Sequence, residues 1–258
     1  MVDTHCHLGL CEDGEGELVA AARAAGVARM LTVGIDAASS REAIAAAEAH
    51  PEVLACVGRH PNGAGGFADA DAAEIAELAR HPRVAAVGET GLDYYRDRAP
   101  RADQRRAFEA QIEIARDSGK PLVIHVRDGA SATEGEALAE AYATLGARAD
   151  GVTVILHCFS APPERVAEAA ERGWYCSFAG NLTYPSAEVL RESAALVPDE
   201  LLLVETDAPF LAPQPVRGKP NAPANVIATA ERLAELRGLA YPELETLVES
   251  NATRALRW

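Results

Sequence analysis

The sequence predicts a (β/α)8 barrel, an α/β fold formed as a single domain over residues 1–258. Three observations predict it. Short apolar runs alternate from end to end with Ala-, Glu- and Arg-rich stretches of helical spacing. The runs are nearly continuous rather than alternating, as expected of strands covered on both faces by parallel pairing. About eight strand–helix units fit the length, which suits a closed barrel better than a doubly wound sheet.

In chain order the strands are expected at Val2–Leu8, Arg29–Gly34, Val53–Gly58, Val84–Glu89, Pro121–Val126, Thr153–Cys158, Tyr175–Gly180 and Leu201–Asp207. Between them, Leu, Ala, Ile and Val recur at helical intervals, for example over Glu17–Ala25, Arg41–Ala49, Ala72–Arg80 and Gln104–Ser118. Ser39 or Ser40 is placed to cap the helix at Arg41, and Ser186 the helix Ala187–Leu196. The Pro-rich piece Pro209–Pro223 follows the last strand and is expected over the barrel mouth.

Composition narrows the function classes. Hydrophobic residues make up 48% and charged residues 24%, as in ordinary globular proteins. Apolar runs such as Leu201–Val204 are far too short to cross a bilayer, and no signal peptide is expected, so no membrane partner is either. Five cysteines without C-x-x-C spacing argue against a disulfide framework and a zinc knuckle, and for a reducing, cytoplasmic compartment. A net charge of −15 rules out gripping long nucleic acid through the overall field. A nucleic-acid substrate then requires local cations, metal ions above all, to reverse the sign.

The strand ends carry the chemistry. His5 and His7 are two apart in a strand and share a face. Later strands run into Gly58-Arg59-His60-Pro61, Gly88-Glu89-Thr90-Gly91-Leu92-Asp93, Ile124-His125-Val126-Arg127, Leu156-His157-Cys158-Phe159-Ser160 and Val204-Glu205-Thr206-Asp207. In a barrel these ends converge on the catalytic face. A lone histidine there could be a satisfied core residue. Four histidines (His5, His7, His125, His157) with Glu89 and Asp207 point instead to a metal site. Imidazole and carboxylate without thiolate suit zinc, manganese, iron or magnesium. Six ligands exceed what one catalytic ion needs, and two ions bridged by a carboxylate fit the count. Paired ions about 3.5–4 Å apart lower the pKa of a shared water and stabilise attacking and leaving oxygens. Asp207 could accept that water's proton.

The chain resembles the TatD family of metal-dependent hydrolases, a branch of the amidohydrolase-like barrels. The matching motifs are Asp3-x-His5-x-His7, Gly58-x-His60-Pro61, Gly88-Glu89-x-Gly91-Leu92-Asp93, Gly119-Lys120-Pro121 through His125, His157-Cys158-Phe159-Ser160, Glu205-Thr206-Asp207-Ala208-Pro209, Arg217-Gly218-Lys219 and Asn251-x-Thr253-Arg254. The resemblance implies two divalent ions (Mg, Mn or Zn). One would be held by His5, His7, Glu89 and Asp207, the other by Glu89, His125 and His157, with Glu89 as the bridge. It implies a substrate contact for His60, and deoxyribonuclease action, 3′-to-5′ on single strands. DNA ends or short single strands would be the partner, with no obligate protein partner. Ala161 and Ala222 stand where the family often has Gly and Glu, which leaves substrate preference open.

Several residues carry two readings. Arg59, Arg127 and Lys219 could bind substrate phosphates or pair with local acids. Tyr94, Tyr95 and Phe159 could stack on bases or pack. Asp93 and Glu205 could orient metal-bound histidines, and Asp93 could instead cap a turn. The same ion pair would serve another ester or amide: a lactone, a small phosphoester or an aminoacyl ester on RNA. A non-catalytic metal-binding protein is the remaining class.

Overall fold

The computed structural model describes residues 1–129 and 135–258. Its strands are β1 (Val2–Cys6), β2 (Arg29–Val33), β3 (Val53–Val57), β4 (Val84–Asp93), β5 (Leu122–Arg127), β6 (Val154–Leu156), β7 (Tyr175–Phe178) and β8 (Leu202–Val204). They form one sheet in sequence order, and each neighbouring pair is parallel. Helices α1 (Glu15–Ala24), α2 (Ala37–Ala49), α3 (Asp69–Leu78), α4 (Arg101–Ser118), α5 (Glu136–Arg148), α6 (Pro163–Glu171), α7 (Glu188–Leu196), α8 (Val226–Arg237) and α9 (Tyr241–Leu256) accompany them. This is the (β/α)8 barrel that the alternation predicts. Among the described residues no helix is long and apolar enough to cross a membrane.

The apolar strand residues sort by alternation. One set, including Met30, Val57, Ile124 and Val204, joins helix residues in the larger core. The other, Val2, Leu31, Cys56, Ala86, Val123, Ile155 and Leu203, gathers with Ala252, Ala255 and Leu256 of α9. We read this second set as the barrel interior, covered at its lower end by the last turns of α9.

Closure of β1 on β8 is made mostly beyond the end of β8. Cys6 bridges Ala208, His7 N–H donates to Ala208 O (2.7 Å) and Asp207 N–H to His5 O (2.9 Å). Asp3, fully buried, accepts from the Thr206 amide (2.9 Å) and hydroxyl (2.6 Å). The seam therefore joins the strand carrying His5 and His7 to the segment carrying Asp207.

Most strands stop short of the expected ends. β6 ends at Leu156 and β8 at Val204, because Cys158 (φ 46°) and Asp207 (φ 52°) turn into the left-handed region beyond them. β4 instead runs on to Asp93. The ladder slips between Asp3 and Cys6 in β1 and between Val87 and Thr90 in β4. Strict alternation from the interior residues Val2 and Ala86 would turn His5 and Glu89 outward; these irregularities bring them in.

Two caps differ from expectation. α2 begins at Ala37, four residues before Arg41, since Asp36 accepts from Ser39 N–H (2.8 Å) while Ser39 Oγ accepts from Asp36 N–H (3.0 Å). Ser39 thus answers the capping residue from inside the helix. Ser186 caps nothing: α7 starts after Ala187 with no side-chain cap.

Gly91 is required where it stands. Its φ is +138°, and a Cβ there would lie 2.0 Å from the carbonyl oxygen of His125. Gly119, which ends α4 at φ +66°, has open space around such a Cβ. Gly119→Ala is expected to cost about 1 kcal/mol from φ alone, and Gly91→Ala at least about 3 kcal/mol from the added backbone clash. Urea denaturation of the two variants checks this, and equal losses would contradict it.

Candidate metal centre

Every expected ligand lies in a strand or within three residues of a strand's end. His7 Nδ1 lies 2.8 Å from the Val33 carbonyl, which can only accept. The ring proton is therefore on Nδ1, and the Nε2 lone pair faces the interior. His5 Nε2 is 3.2 Å from His7 Nε2. Glu89 Oε2 lies 3.5 Å from His5 Nε2 and 3.6 Å from His7 Nε2. Asp207 Oδ1 lies 3.9 and 3.5 Å from the same two nitrogens. Ligand atoms at about 2.1 Å around a tetrahedral cation stand about 3.4 Å apart. His5, His7 and Asp207 thus fit a divalent ion in spacing and in donor type, with Glu89 Oε2 beside both imidazoles.

The other oxygen of Glu89 meets a second set. Oε1 is 2.7 Å from His125 Nδ1 and 2.9 Å from His157 Nε2, which are 3.4 Å from each other. The far nitrogens are anchored. His157 Nδ1 donates to Glu205 Oε1 (3.1 Å), which also takes the Cys158 N–H (2.7 Å). His125 Nε2 donates to Asp93 Oδ2 at 3.3 Å. Such carboxylate–imidazole pairs set which nitrogen faces a metal. Asp93 fills both roles considered for it, since Oδ1 caps the turn through the Tyr95 (3.0 Å) and Arg96 (2.7 Å) amides.

His60 stands differently. Its Nδ1 accepts from Asn62 N–H at 3.0 Å, so the neutral ring carries its proton on Nε2, 3.5 Å from Glu89 Oε1. It offers the site a donor rather than a lone pair. Asn62 also donates to Asp93 Oδ2 (2.8 Å), tying the loop after β3 to the residue that orients His125. Gln111 of α4 clamps the same region, accepting from Arg59 N–H (2.8 Å) and donating to Arg59 O (3.0 Å) and Thr90 Oγ1 (2.7 Å).

Burial alone would push the Glu89 carboxyl up; the imidazoles of His157, His60 and His125 hold it well below the carboxylate range. Burial likewise opposes ionisation of Asp207, and His7 and its neighbours pull it down. Desolvation works to lower His157, His125 and His7, but the surrounding carboxylates win and raise all three. His60 goes the other way, with burial bringing it down to about 4. At neutral pH the carboxylates are ionised and His60 is neutral. The Cys158 thiol is pushed well up by burial, which makes it a poor nucleophile.

Other expected site residues are more scattered. Arg59 is paired with Asp71 Oδ1 (2.9 Å), so acid pairing, not a free phosphate contact, is what its guanidinium shows. Arg127 is exposed, 4.1 Å over the Tyr95 ring, and Lys219 is exposed; neither pairs with an acid among the described residues. Tyr94 donates to Glu140 Oε2 (2.6 Å) and Phe159 packs on Phe178, so both are packing residues. The sequence reading missed Asn62 and Gln111, whose contacts are long-range. It also missed Phe210, 52% exposed with its ring 6.1 Å from that of His7, whose position after Asp207-Ala208-Pro209 was the available signal.

Residues 2–257 match the family model described as TatD related DNase. The chain is 41% identical to the uncharacterized metal-dependent hydrolase TatD of Mycobacterium tuberculosis, over 99% of this chain and 97% of that protein. It is 34% identical to the 3'-5' ssDNA/RNA exonuclease TatD of Salmonella typhimurium, over 92% and 90% respectively. Among solved structures, the TatD homolog YJJV of Escherichia coli K12 superposes with a TM-score of 0.91 at 25% identity, covering 100% of this chain and 98% of that one.

A cation must displace protons from imidazoles whose pKa values are raised, while the carboxylates are already ionised. Protonation of His7, His125 and His157 therefore competes with metal as pH falls through their raised values. Manganese affinity is expected to drop roughly tenfold or more per pH unit below neutrality, with net proton release on binding. Calorimetric titration in buffers of different ionisation enthalpy measures both, and an affinity flat from pH 8 to 5.5 would refute the ligand assignment.

Proposed function

We propose that this chain, which belongs to the TatD family and is a metal-dependent hydrolase, cleaves DNA phosphodiesters from the 3′ end of single strands at a two-ion centre bridged by Glu89. The observation that carries the reading is the division of one buried carboxylate: Oε2 toward His5 and His7, Oε1 toward His125 and His157. On this reading His5, His7, Glu89 and Asp207 hold one ion, and Glu89, His125 and His157 the other. Divalent ions (Mg, Mn or Zn) bound there would supply a low-pKa water and Lewis-acid polarisation of the ester.

The side chains supply the rest. Asp207, held ionised, accepts the proton of the attacking water. His60, neutral and protonated on Nε2, donates to a phosphoryl oxygen. The family description as DNase and the relative named 3'-5' ssDNA/RNA exonuclease support the substrate class.

Charge placement supports it too. Net charge is −15, and most arginines are spent on acids. Arg127 at the end of β5, and Arg96, Arg98, Arg217 and Lys219 on the loops after β4 and β8, pair with no carboxylate among the described residues. They follow strand ends on the side of the candidate ligands, and so add to the local cations, metal ions above all, that composition calls for. Phe210 and Tyr95 (47% exposed) offer apolar faces for bases.

A 5′-labelled single strand with manganese should shorten from its 3′ end, with no digestion in chelator and at least about a thousandfold loss of kcat in Asp207→Asn. Metal-loaded protein that leaves the strand intact would redirect the proposal to carbonyl esters. Phe210→Ala is expected to raise KM for the strand about five- to hundredfold, a stacking loss of about 1–3 kcal/mol, with kcat nearly unchanged; steady-state kinetics showing the reverse split would remove Phe210 from the binding face.

A further inference from the structure

The end of the barrel opposite the metal centre holds a cleft of about 470 Å³, within the range of small-molecule sites. It lies between the starts of β2, β4 and β5 and the residues after α9. Four cations line it: Arg29, Arg83, Lys120 and Arg257. None of them has a carboxylate within 4 Å among the described residues. Glu52, the acidic side chain in the lining among the described residues, is already bound by Arg23.

Three of these cations are held in place without being neutralised. Arg83 Nε donates to Ala47 O (2.7 Å) and its Nη2 to the His50 (3.1 Å) and Pro51 (3.0 Å) carbonyls. Lys120, from the Gly119-Lys120-Pro121 motif that the metal centre does not use, donates to Val84 O, and Arg257 Nη1 donates to Gly119 O (3.1 Å). Arg29 has no side-chain partner among the described residues. Four like charges lining one cleft, in a chain of net charge −15, favour an anion there. The remaining walls are apolar: the Trp258 indole, Pro82 and Pro121. The buried Trp258 Nε1 has no acceptor among the described residues, which a buried indole normally finds.

We propose that this cleft is a second binding site, taking a nucleoside monophosphate with its phosphate among the four cations and its base against Trp258. The volume matches one nucleotide rather than a strand, and the site is independent of the reading of the metal centre.

The chain has two tryptophans, and Trp174 is buried against Tyr142. Trp258 fluorescence therefore reports on the cleft. Metal-loaded protein is titrated with AMP, adenosine and inorganic phosphate. AMP should quench the emission, Trp258→Phe should abolish the quench, and adenosine and phosphate should each bind at least tenfold more weakly. Arg29→Glu with Arg257→Glu should weaken AMP at least tenfold; Arg257→Gln alone is the milder check should the pair fail to fold. Asp207→Asn should leave the quench intact. AMP binding that survives the charge reversals but fails in Asp207→Asn would place the ligand at the metal centre and overturn the proposal. Phosphate binding as tight as AMP would overturn the nucleoside part. A single-stranded oligonucleotide that binds the cleft more tightly than AMP, and is lost on charge reversal, would replace the small molecule with a strand.

Discussion

The structure turns on the burial of one carboxylate. Glu89 is 3% exposed, deep in the barrel mouth, and a lone ionised carboxylate there would cost several kcal/mol. Its desolvation is offset by imidazoles arriving from β1, β5 and the ends of β3 and β6. The same pairing raises His7, His125 and His157 and lowers the carboxylate. Protons and divalent cations are then competing solutions to one electrostatic problem, which is the condition a pH-sensitive metal centre requires.

A layer of less conspicuous contacts decides which atoms meet at Glu89. Val33 O, Glu205 and Asp93 each take the outer nitrogen of a histidine. His5 has no such partner for Nδ1; its ring instead stacks on His157 at 3.9 Å, 14° from parallel. Asp3, burial pushing its carboxyl up to about 8, joins β1 to Thr206 and so sets the distance between His5 and Asp207. Gln104 and Gln111, seven residues apart on one face of α4, fix the ends of β4 and β3. The site is therefore held by backbone as much as by side chains.

Much of this was legible in the chain. Continuous apolar runs located all eight strands, and polar residues at their ends marked His5, His7, Glu89, His125, His157 and Asp207 as a converging set. The rest depended on long-range geometry. Alternation shows that His5 and His7 share a face, but which face depends on a register slip that only pairing with β2 reveals. The same holds for Glu89 in β4. Asp36 rather than Ser39 caps α2 because two short side chains bond reciprocally, and spacing cannot say which is outside the helix. Arg59 adjoins the motif residue His60, yet its guanidinium reaches Asp71 on α3, a contact set by how α3 packs. The cations of the mouth and of the lower cleft are unremarkable in sequence. They stand out once the acids pairing with the other arginines are located.

The most direct measurement of whether Glu89 spans two ions is anomalous diffraction from crystals grown with manganese. Two peaks about 3.5–4 Å apart, one beside Oε2 with His5 and His7 and one beside Oε1 with His125 and His157, are the expected result. A single peak, or a second peak that does not touch Glu89, would contradict the bridge, and with it the reason this carboxylate is buried among four strands' worth of histidines.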